Sequence, residues 1–219
     1  MCGRLANTLP NDAMAQLFSA MPGNALPEVP NYNICPTTQV HVVTSDAELR
    51  RLGAMRWGFL PTWYKTPTDG PLLINARSET IAEKPAFREA CRQRRCILPA
   101  TGFYEWSKDD EGNRLPWYFS RSDGAPLALA GIWQDWGGDQ MATCAVVTTS
   151  ASADIAHIHH RMPVVLEHDS WAKWLGEEGH GAALLMRPAD EGTLNVHRVG
   201  RAVNSNRASG PELIVPFDE

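Results

Sequence analysis

The chain has 219 residues, which is enough for one compact domain or two small ones around a buried core. Its hydrophobic share of 43% is typical of a globular protein, and no apolar run reaches the roughly 18 residues that a membrane span requires. The formal net charge of −5 argues against a protein that coats nucleic acid without selectivity. We therefore expect a globular protein that does not span a membrane.

The chain start and the cysteines indicate a cytoplasmic protein. The segment Met1-Cys2-Gly3-Arg4 lacks the apolar stretch of a secretion signal. The five cysteines are an odd set without a Cys-X-X-Cys pair, which fits reduced thiols better than a disulfide scaffold or a zinc site. Cys144 lies in an apolar run and is predicted to be an inert core thiol. Cys2 differs, because a residue so near the chain start is hard to bury.

Hydrophobic periodicity and turn residues predict many strands and few short helices in chain order. A helix is predicted over residues 11–20 with Asn11 as its cap, and another is predicted to begin with Thr80 and Glu83 at capping-box spacing. Two short helices are predicted at 152–157 and 170–175. Strands and extended segments are predicted at 40–44, 51–57, 71–77, 95–106, 117–121, 127–133 and 143–148.

The predicted elements favour one domain. Prolines and glycines are scattered as turn punctuation, and the chain has no internal repeat and no long linker. The pattern predicts an α+β fold, with a curved, mostly antiparallel and barrel-like sheet flanked by short helices. We place this single domain at residues 2–219, with Met1 removed.

Cys2 would carry two nucleophiles if Met1 were lost. An α-amine with a pKa of about 7.7–8.0 is partly unprotonated at neutral pH and can attack an aldehyde to form an imine. A thiol with a pKa near 8.5 can then close a five-membered thiazolidine ring on the same carbon. The alternative is that Cys2 is a small residue in a disordered terminus, and its position alone favours that alternative.

Two further segments contain candidate polar residues. If residues 71–77 are extended, Asn75 and Arg77 project from one face, where an amide can hold a sugar and a guanidinium a phosphate. A structural Asn-Arg pair bonded to backbone is the alternative. Strand alternation places Glu105 with Phe103 on one face, away from Tyr104. A carboxyl among aromatics is either a partnered structural acid or a functional acid with a raised pKa.

Three histidines, His157, His159 and His160, lie within four residues. A metal site is one alternative, but no acid or cysteine stands at ligand spacing, so we predict neither a metal nor a cofactor. A neutral imidazole near pH 7 suits proton transfer.

Stacking and phosphate contacts have candidates as well. Trp63 and Tyr64 follow a Pro-Thr turn and are predicted to form a loop tip that can stack on a base. Between Lys84 and Arg95 the chain carries five cations against one acid, Glu89. That segment could hold phosphates, although a solvated helix face is the simpler interpretation.

Several sequence blocks occur together in one order along the chain. They are Met1-Cys2-Gly3-Arg4, Tyr32-Asn33-Ile34-Cys35-Pro36-Thr37, Met55-Arg56-Trp57-Gly58-Phe59-Leu60-Pro61-Thr62-Trp63, Ile74-Asn75-Ala76-Arg77-Ser78-Glu79-Thr80, Gly102-Phe103-Tyr104-Glu105-Trp106, Ile158-His159-His160-Arg161-Met162-Pro163, Val203-Asn204 and Pro211-Glu212-Leu213-Ile214. With these blocks the chain resembles the SOS-response-associated peptidase (SRAP) family from Cys2 to Pro216. One departure is Cys35, where alanine is commoner in the family.

The resemblance implies a fold, an activity and a set of site residues. It implies the SRAP fold and covalent capture of abasic sites in single-stranded DNA by Cys2, with associated abasic-site lyase activity and self-processing. Asn75 would orient the substrate, and Glu105 and His159 would transfer protons, His159 being selected by the His-Xaa-Arg-Met-Pro motif. The DNA contacts it implies are Arg4, Pro36, Trp63, Tyr64, Arg77 and Thr148.

Two other functions remain open on the sequence. A cysteine peptidase could use Cys2, His159 and Glu105 on protein substrates, and a non-catalytic module could bind intact and abasic strands equally. The acidic net charge disfavours the second of these. The expected partner is abasic single-stranded DNA, and the protein is expected to be a cytoplasmic monomer that is nucleoid-associated when crosslinked.

Overall fold

The computed structural model describes residues 2–46, 49–138 and 141–217, so the predicted removal of Met1 concerns a residue outside these ranges. The α-helices found there are short: α1 (Asn11–Leu17), α2 (Arg88–Gln93) and α3 (Trp171–Leu175). The strands are β1 (Leu5–Asn7), β2 (Ala20–Pro22), β3 (Asn31–Ile34), β4 (Gln39–Ser45), β5 (Arg50–Trp57), β6 (Asn75–Arg77), β7 (Arg95–Ala100), β8 (Gly102–Lys108), β9 (Arg114–Arg121), β10 (Leu127–Trp136), β11 (Met141–Ser150), β12 (Arg161–Pro163) and β13 (Leu194–Arg198).

Five strands close into a mixed barrel. Antiparallel pairing joins β11, β10, β7, β4 and β5 in that order, and a parallel pairing of β5 with β11 closes the ring at Arg56 and Thr143. Both faces of these strands are buried: Leu98 and Val146 pack toward Cys2 and Phe103, while other residues pack toward α1 and α3. Burial on both faces explains the continuous apolar runs of β10 and β11, since an exposed face would require alternating polar residues.

A second sheet packs against the barrel in the strand order β13, β9, β8, β1 and β3. Its antiparallel pairing sets Leu5 of β1 opposite Phe103 of β8, and the Phe103 ring stacks on Phe119 of β9 with centroids 4.6 Å apart. The predicted α+β fold with a curved, mostly antiparallel, barrel-like sheet and short flanking helices is confirmed. This second sheet carries the chain start and Glu105 to the barrel wall.

The predicted strand at 95–106 is wrong as a single element. The chain forms β7 of the barrel, turns at Thr101 and continues as β8 of the second sheet. Thr101 fixes the corner, because its backbone N–H and its hydroxyl both donate to the carbonyl of Ala6. At Gly102 a Cβ would lie 2.2 Å from the Tyr118 ring, so the close approach needs glycine. Both strands are mostly buried beside the corner, so apolar residues follow one another across it and give no sign of it.

The helix predictions are right only in part. Helix α3 falls within predicted 170–175, and α1 begins at Asn11 but ends at Leu17, with Pro10 rather than Asn11 at the cap position. The helix predicted to begin at Thr80 is a series of turns, as is the one predicted at 152–157. Capping-box spacing fixes a first turn but does not supply an apolar face long enough to continue it.

Across the described ranges, none of the helices is both long enough and apolar enough to cross a membrane.

Two strand glycines allow a matched test of the barrel packing. A Cβ at Gly131 of β10 would lie 2.3 Å from Leu98 and 2.9 Å from the Cys96 sulfur, whereas a Cβ at Gly53 of β5 would contact nothing within 4 Å. We expect Gly131→Ala to lower the free energy of unfolding by about 1–3 kcal/mol, because overpacking strains the wall. Urea denaturation followed by circular dichroism measures this, with Gly53→Ala as the control that keeps wild-type stability or gains slightly.

Candidate functional site

Four of the residues singled out in the sequence lie together where the second sheet meets the barrel. Cys2 lies three residues before β1, Glu105 lies on β8, Asn75 begins β6 and His159 precedes β12. Strand β1 pairs with β8, and β6 pairs with β11, which in turn pairs with β12. Two sets of strand pairings therefore place residues separated by more than 150 positions around one point.

Cys2 is fully buried. Its side chain packs in the cluster that includes Val146 and Ile158. Burial raises the pKa of the Cys2 thiol far above its ordinary value, and the negative charge of Glu105 raises that pKa further. The ordinary thiol pKa expected from the sequence is therefore wrong, and the sulfur is a protonated thiol at neutral pH.

Glu105 is the buried acid of the site. Glu105 is 3% exposed, and this burial raises the pKa of its carboxyl to about 7. Phe103, on the same face of β8, lies in the core cluster that contains Cys2, while Tyr104 packs in the cluster on the other side. The predicted orientation of Glu105 is confirmed. A carboxyl half-protonated near neutral pH can both donate and accept a proton under the same conditions.

His159 stands beside Glu105. Its Nδ1 lies 3.8 Å from Glu105 Oε1 and 3.0 Å from both the backbone N and O of Arg161. Burial lowers the pKa of the His159 imidazole, which is therefore neutral at pH 7. The exposed His160 ring stacks on it with centroids 4.6 Å apart. A neutral imidazole next to a half-protonated carboxyl can pass protons in either direction.

Asn75 joins the barrel to the chain start. Its Nδ2 donates to the Cys2 carbonyl oxygen at 2.9 Å. Its Oδ1 is buried, and among the described residues no donor lies within hydrogen-bonding distance of it. An unsatisfied buried amide oxygen costs roughly 1–3 kcal/mol, so this atom is suited to accept a hydrogen bond from a bound molecule.

Arg161 stabilises the site, a role that is not among those predicted from the sequence. Its guanidinium forms a bidentate pair with Glu79, with Nη1 and Oε1 2.6 Å apart, and donates to the Thr148 carbonyl at 2.7 Å. These contacts fix the backbone of Arg161, which His159 contacts through its Nδ1. The residue lies inside the His-Xaa-Arg-Met-Pro block, which was the available signal for it.

A cavity of about 400 Å³ opens beside the four residues. Glu105 and His159 form its inner wall, and Gly3 lies next to the chain start. The outer wall is basic and aromatic, formed by Arg4, Trp106, Ser107, Lys108 and Arg114. The sequence indicates a packing role for Trp106 and predicts no role for Lys108 or Arg114.

A second cavity, of about 450 Å³, lies on the other side of Asn75. Arg77 lines it together with Asn75, as expected for residues on one face of an extended strand. The Trp63 side chain, 57% exposed, forms part of its rim, and Lys84 contributes a second cation. Arg95 of the basic segment has a structural role, since its guanidinium donates to the carbonyls of Cys91, Arg92 and Trp174.

The other residues predicted to contact DNA are less exposed or are hydrogen-bonded within the protein. The Thr148 side chain is buried and lies 3.3 Å from Arg161, so it supports the site wall in this structure. Tyr64 is half-buried, with its ring edge toward Trp63 and its hydroxyl packed against Gly70. Arg4 donates to Asn33 and to the Val203 carbonyl. Their contacts with DNA stay predictions.

Pro36 adjoins a strained position. The next residue, Thr37, has a φ of +73°, which β-branched residues rarely adopt, and its backbone N–H donates to the Trp57 carbonyl at 2.7 Å. This contact with the end of β5 fixes the loop that presents Pro36. Strain of this kind is retained where a loop conformation matters.

Comparison with known proteins yields a family and several relatives. A model of the family described as SOS response associated peptidase (SRAP) matches residues 1–206. The abasic site processing protein YoqW of Bacillus subtilis is 34% identical, with 98% of this chain and 99% of that protein aligned. YedK of Escherichia coli, also named an abasic site processing protein, is 32% identical over 99% of this chain and 100% of its own length. HMCES of Pongo abelii is 30% identical over 100% of this chain and 77% of its own.

A solved structure supports the fold. The crystal structure of a protein from Bacteroides thetaiotaomicron superposes with a TM-score of 0.85, covering 99% of this chain and 100% of that one. At 24% identity this likeness concerns the arrangement of strands and not the chemistry.

The burial of Glu105 predicts a pH-dependent cost to stability. Between the ordinary value of 4.5 and about 7, the folded state holds a proton that the unfolded state has released. Raising the pH through this window therefore destabilises the fold, by up to about 3 kcal/mol at roughly 1.4 kcal/mol per pKa unit. Glu105→Gln removes this loss, so we expect the variant to gain stability over the wild type as pH rises from 4.5 to 8.

Urea denaturation of both proteins at several pH values measures the difference. Burial lowers the pKa of His41 to about 4, but His41 is present in both proteins and its effect cancels. A stability difference that stays constant with pH would contradict the assignment of a raised pKa to Glu105.

Proposed function

This chain belongs to the SOS response associated peptidase (SRAP) family, and from that membership and its site we propose that it captures abasic sites in single-stranded DNA covalently through Cys2. Three relatives that align with nearly the whole chain are named abasic site processing proteins. The observation that carries the proposal is the position of Cys2, held by Asn75 and next to a carboxyl with a pKa of about 7. Loss of Met1 is part of the proposal, because it frees the amine of Cys2.

The amine performs the first step. Its nitrogen attacks the C1′ aldehyde of the opened sugar, and the carbinolamine then loses water to give an imine. The closed sugar opens when its ring oxygen is protonated, and expulsion of water also needs an acid. Protonated Glu105 supplies that proton, while neutral His159 can accept one from the attacking amine. Near neutral pH the carboxyl of Glu105 is partly protonated, and burial favours the neutral form of His159.

The thiol performs the second step. The Cys2 sulfur bonds to the imine carbon and its proton passes to the nitrogen, which closes a thiazolidine ring without any other reactant. Because the pKa of this thiol is raised, the sulfur needs a base as it attacks. Ionised Glu105, regenerated when it protonates the leaving water, is such a base. If the thiol does not close the ring, loss of a C2′ proton from the imine expels the 3′ phosphate, which is lyase activity.

Asn75 is suited to orient the sugar. Its amide donates to the Cys2 carbonyl, and its buried Oδ1 can accept from a sugar hydroxyl. The strand would lie with Arg77 and Trp63 on one side and Arg4 on the other, through phosphate and stacking contacts that need no base recognition.

A protein-directed cysteine peptidase is less well supported. Peptidases of that kind attack with a thiolate whose pKa is lowered by a neighbouring cation. Burial and Glu105 act on Cys2 in the opposite direction. The surroundings favour the amine as the first nucleophile, so we propose no peptidase activity beyond removal of Met1.

Replacing Cys2 separates the two steps. We expect Cys2→Ala to form no heat-stable adduct with abasic single-stranded DNA, because the ring cannot close without sulfur. The alanine amine still forms an imine, so borohydride should trap it and strand cleavage should persist. Intact mass spectrometry measures the wild-type product, expected at the summed mass less one water and less the Met1 residue.

Cys35→Ala is the matched control, since Cys35 is a partly exposed thiol on another loop, and it should form the adduct normally. A heat-stable adduct of Cys2→Ala, or an active protein that keeps Met1, would defeat the proposal.

The raised pKa of Glu105 predicts a pH profile. The acid form needed for sugar opening is lost as pH rises through about 7, while the free amine increases toward about 8, so the wild-type rate should peak between them. Glu105→Gln should slow single-turnover adduct formation by about 10²–10⁴-fold and lose the decline on the alkaline side. Glu191→Gln, an exposed acid outside the site, should keep the wild-type profile. An unchanged profile in Glu105→Gln would contradict its role.

A further inference from the structure

The outer wall of the first cavity contains three cations. The proposed reaction gives no role to two of them, Lys108 and Arg114. Arg4, Lys108 and Arg114 surround the opening, and Glu105 deep inside is the acid among the lining residues. A basic wall is notable in a chain of net charge −5. Gly3, the residue after Cys2, also lines this cavity.

We infer that Lys108 and Arg114 bind backbone phosphates of the strand beside the abasic residue, with Trp106 holding the Arg114 guanidinium in place. This inference rests on the proposed function, since it names the part of the protein that holds the strand flanking the lesion. The ligand is the phosphate backbone of single-stranded DNA, and no base is recognised.

The hairpin sets these two cations against each other. Lys108 of β8 and Arg114 of β9 are directly opposite in the antiparallel register. Like charges at that position are destabilising unless an anion lies between or above them. In the described part of the chain, neither side chain forms an ion pair with an acid. Both are exposed, so a phosphate can reach them and relieve the repulsion.

Two of the three acids at the tip of this hairpin, Asp109 and Glu111, are engaged elsewhere. Asp109 Oδ1 accepts from the backbone of Glu111 and Asn113, and its Oδ2 accepts from the Asn113 amide at 3.0 Å. Glu111 also accepts from that amide. These carboxylates close the turn and do not neutralise Lys108 or Arg114.

Trp106 orders the cationic wall. The Arg114 guanidinium carbon lies 4.6 Å from the Trp106 ring centroid, and that of Arg4 lies 5.7 Å from it. The indole Nε1 donates to Asn204 at 2.6 Å, which fixes the ring. The ring thus holds two guanidinium groups at one edge of the cavity, and less entropy is lost when a phosphate binds them. Trp106 is a positioning residue.

Binding of a single-stranded oligonucleotide that carries a non-reactive abasic analogue tests the inference. Fluorescence anisotropy at several salt concentrations gives the affinity and its salt dependence without any chemistry. For Lys108→Gln and Arg114→Gln we expect several-fold weaker binding and a log–log salt slope that is smaller by about 0.7 per removed charge. Arg114→Lys keeps the charge and should restore the slope.

Arg51→Gln is the matched control. It removes the same charge from β5, beside the edge strand β2, where Arg51 ion-pairs with Asp46. Variants at 108 and 114 that bind with the affinity and slope of Arg51→Gln would overturn the inference. Single-turnover reaction with reactive abasic DNA should show a raised half-saturating concentration and an unchanged plateau rate.

The two proposals fail in different ways. Absence of an adduct with the wild-type protein would overturn the proposed function. The anisotropy measurements use a non-reactive analogue, so they test the phosphate contacts independently of adduct formation. A lowered plateau rate with unchanged affinity in the Lys108 and Arg114 variants would overturn the assignment of these residues to binding.

Discussion

The burial of one carboxyl beside the chain start is the constraint on which the site depends. Glu105 is 3% exposed, and the loss of solvation that raises its pKa to about 7 also holds Cys2 as a protonated thiol. A solvated Glu105 would be ionised at neutral pH and could not supply a proton. Burial of this acid lowers the stability of the fold. Such a loss is common at sites where a side chain transfers a proton.

The fold provides that burial through its two layers. The barrel alone would leave the β8 side of the site open, and the second sheet alone could not cover both faces of its strands. Packing of Phe103 and Phe119 against the barrel core closes the space around Cys2 and Glu105. Asn75 then links the layers by bonding from β6, which is paired to the barrel, to the backbone of the chain start. The proposed nucleophile is therefore held at a junction, although it lies next to a chain terminus.

The charge beside the candidate site differs in sign from the net charge of the chain. The whole chain is acidic, yet both cavities beside the site have cations on their walls: Arg4, Lys108 and Arg114 on one side and Arg77 with Lys84 on the other. An acidic surface elsewhere weakens non-selective binding to DNA. Two cationic walls flanking one buried acid fit the proposed binding of a DNA strand that passes across the site and is held on both sides of it.

The sequence by itself determined the family, the fold class and the identity of four clustered residues, because ordered blocks such as Gly102–Trp106 and His159–Pro163 lie in one chain and strand alternation orients Glu105. It did not locate the corner at Thr101, since the strands on both sides of it are mostly buried and apolar residues continue across it. Only the tertiary structure decided that Cys2 is buried, that Arg161 braces His159 and that Trp106 holds Arg4 and Arg114. These properties arise from contacts between residues far apart in the chain, and desolvation, which sets the pKa values, is a property of the assembled interior.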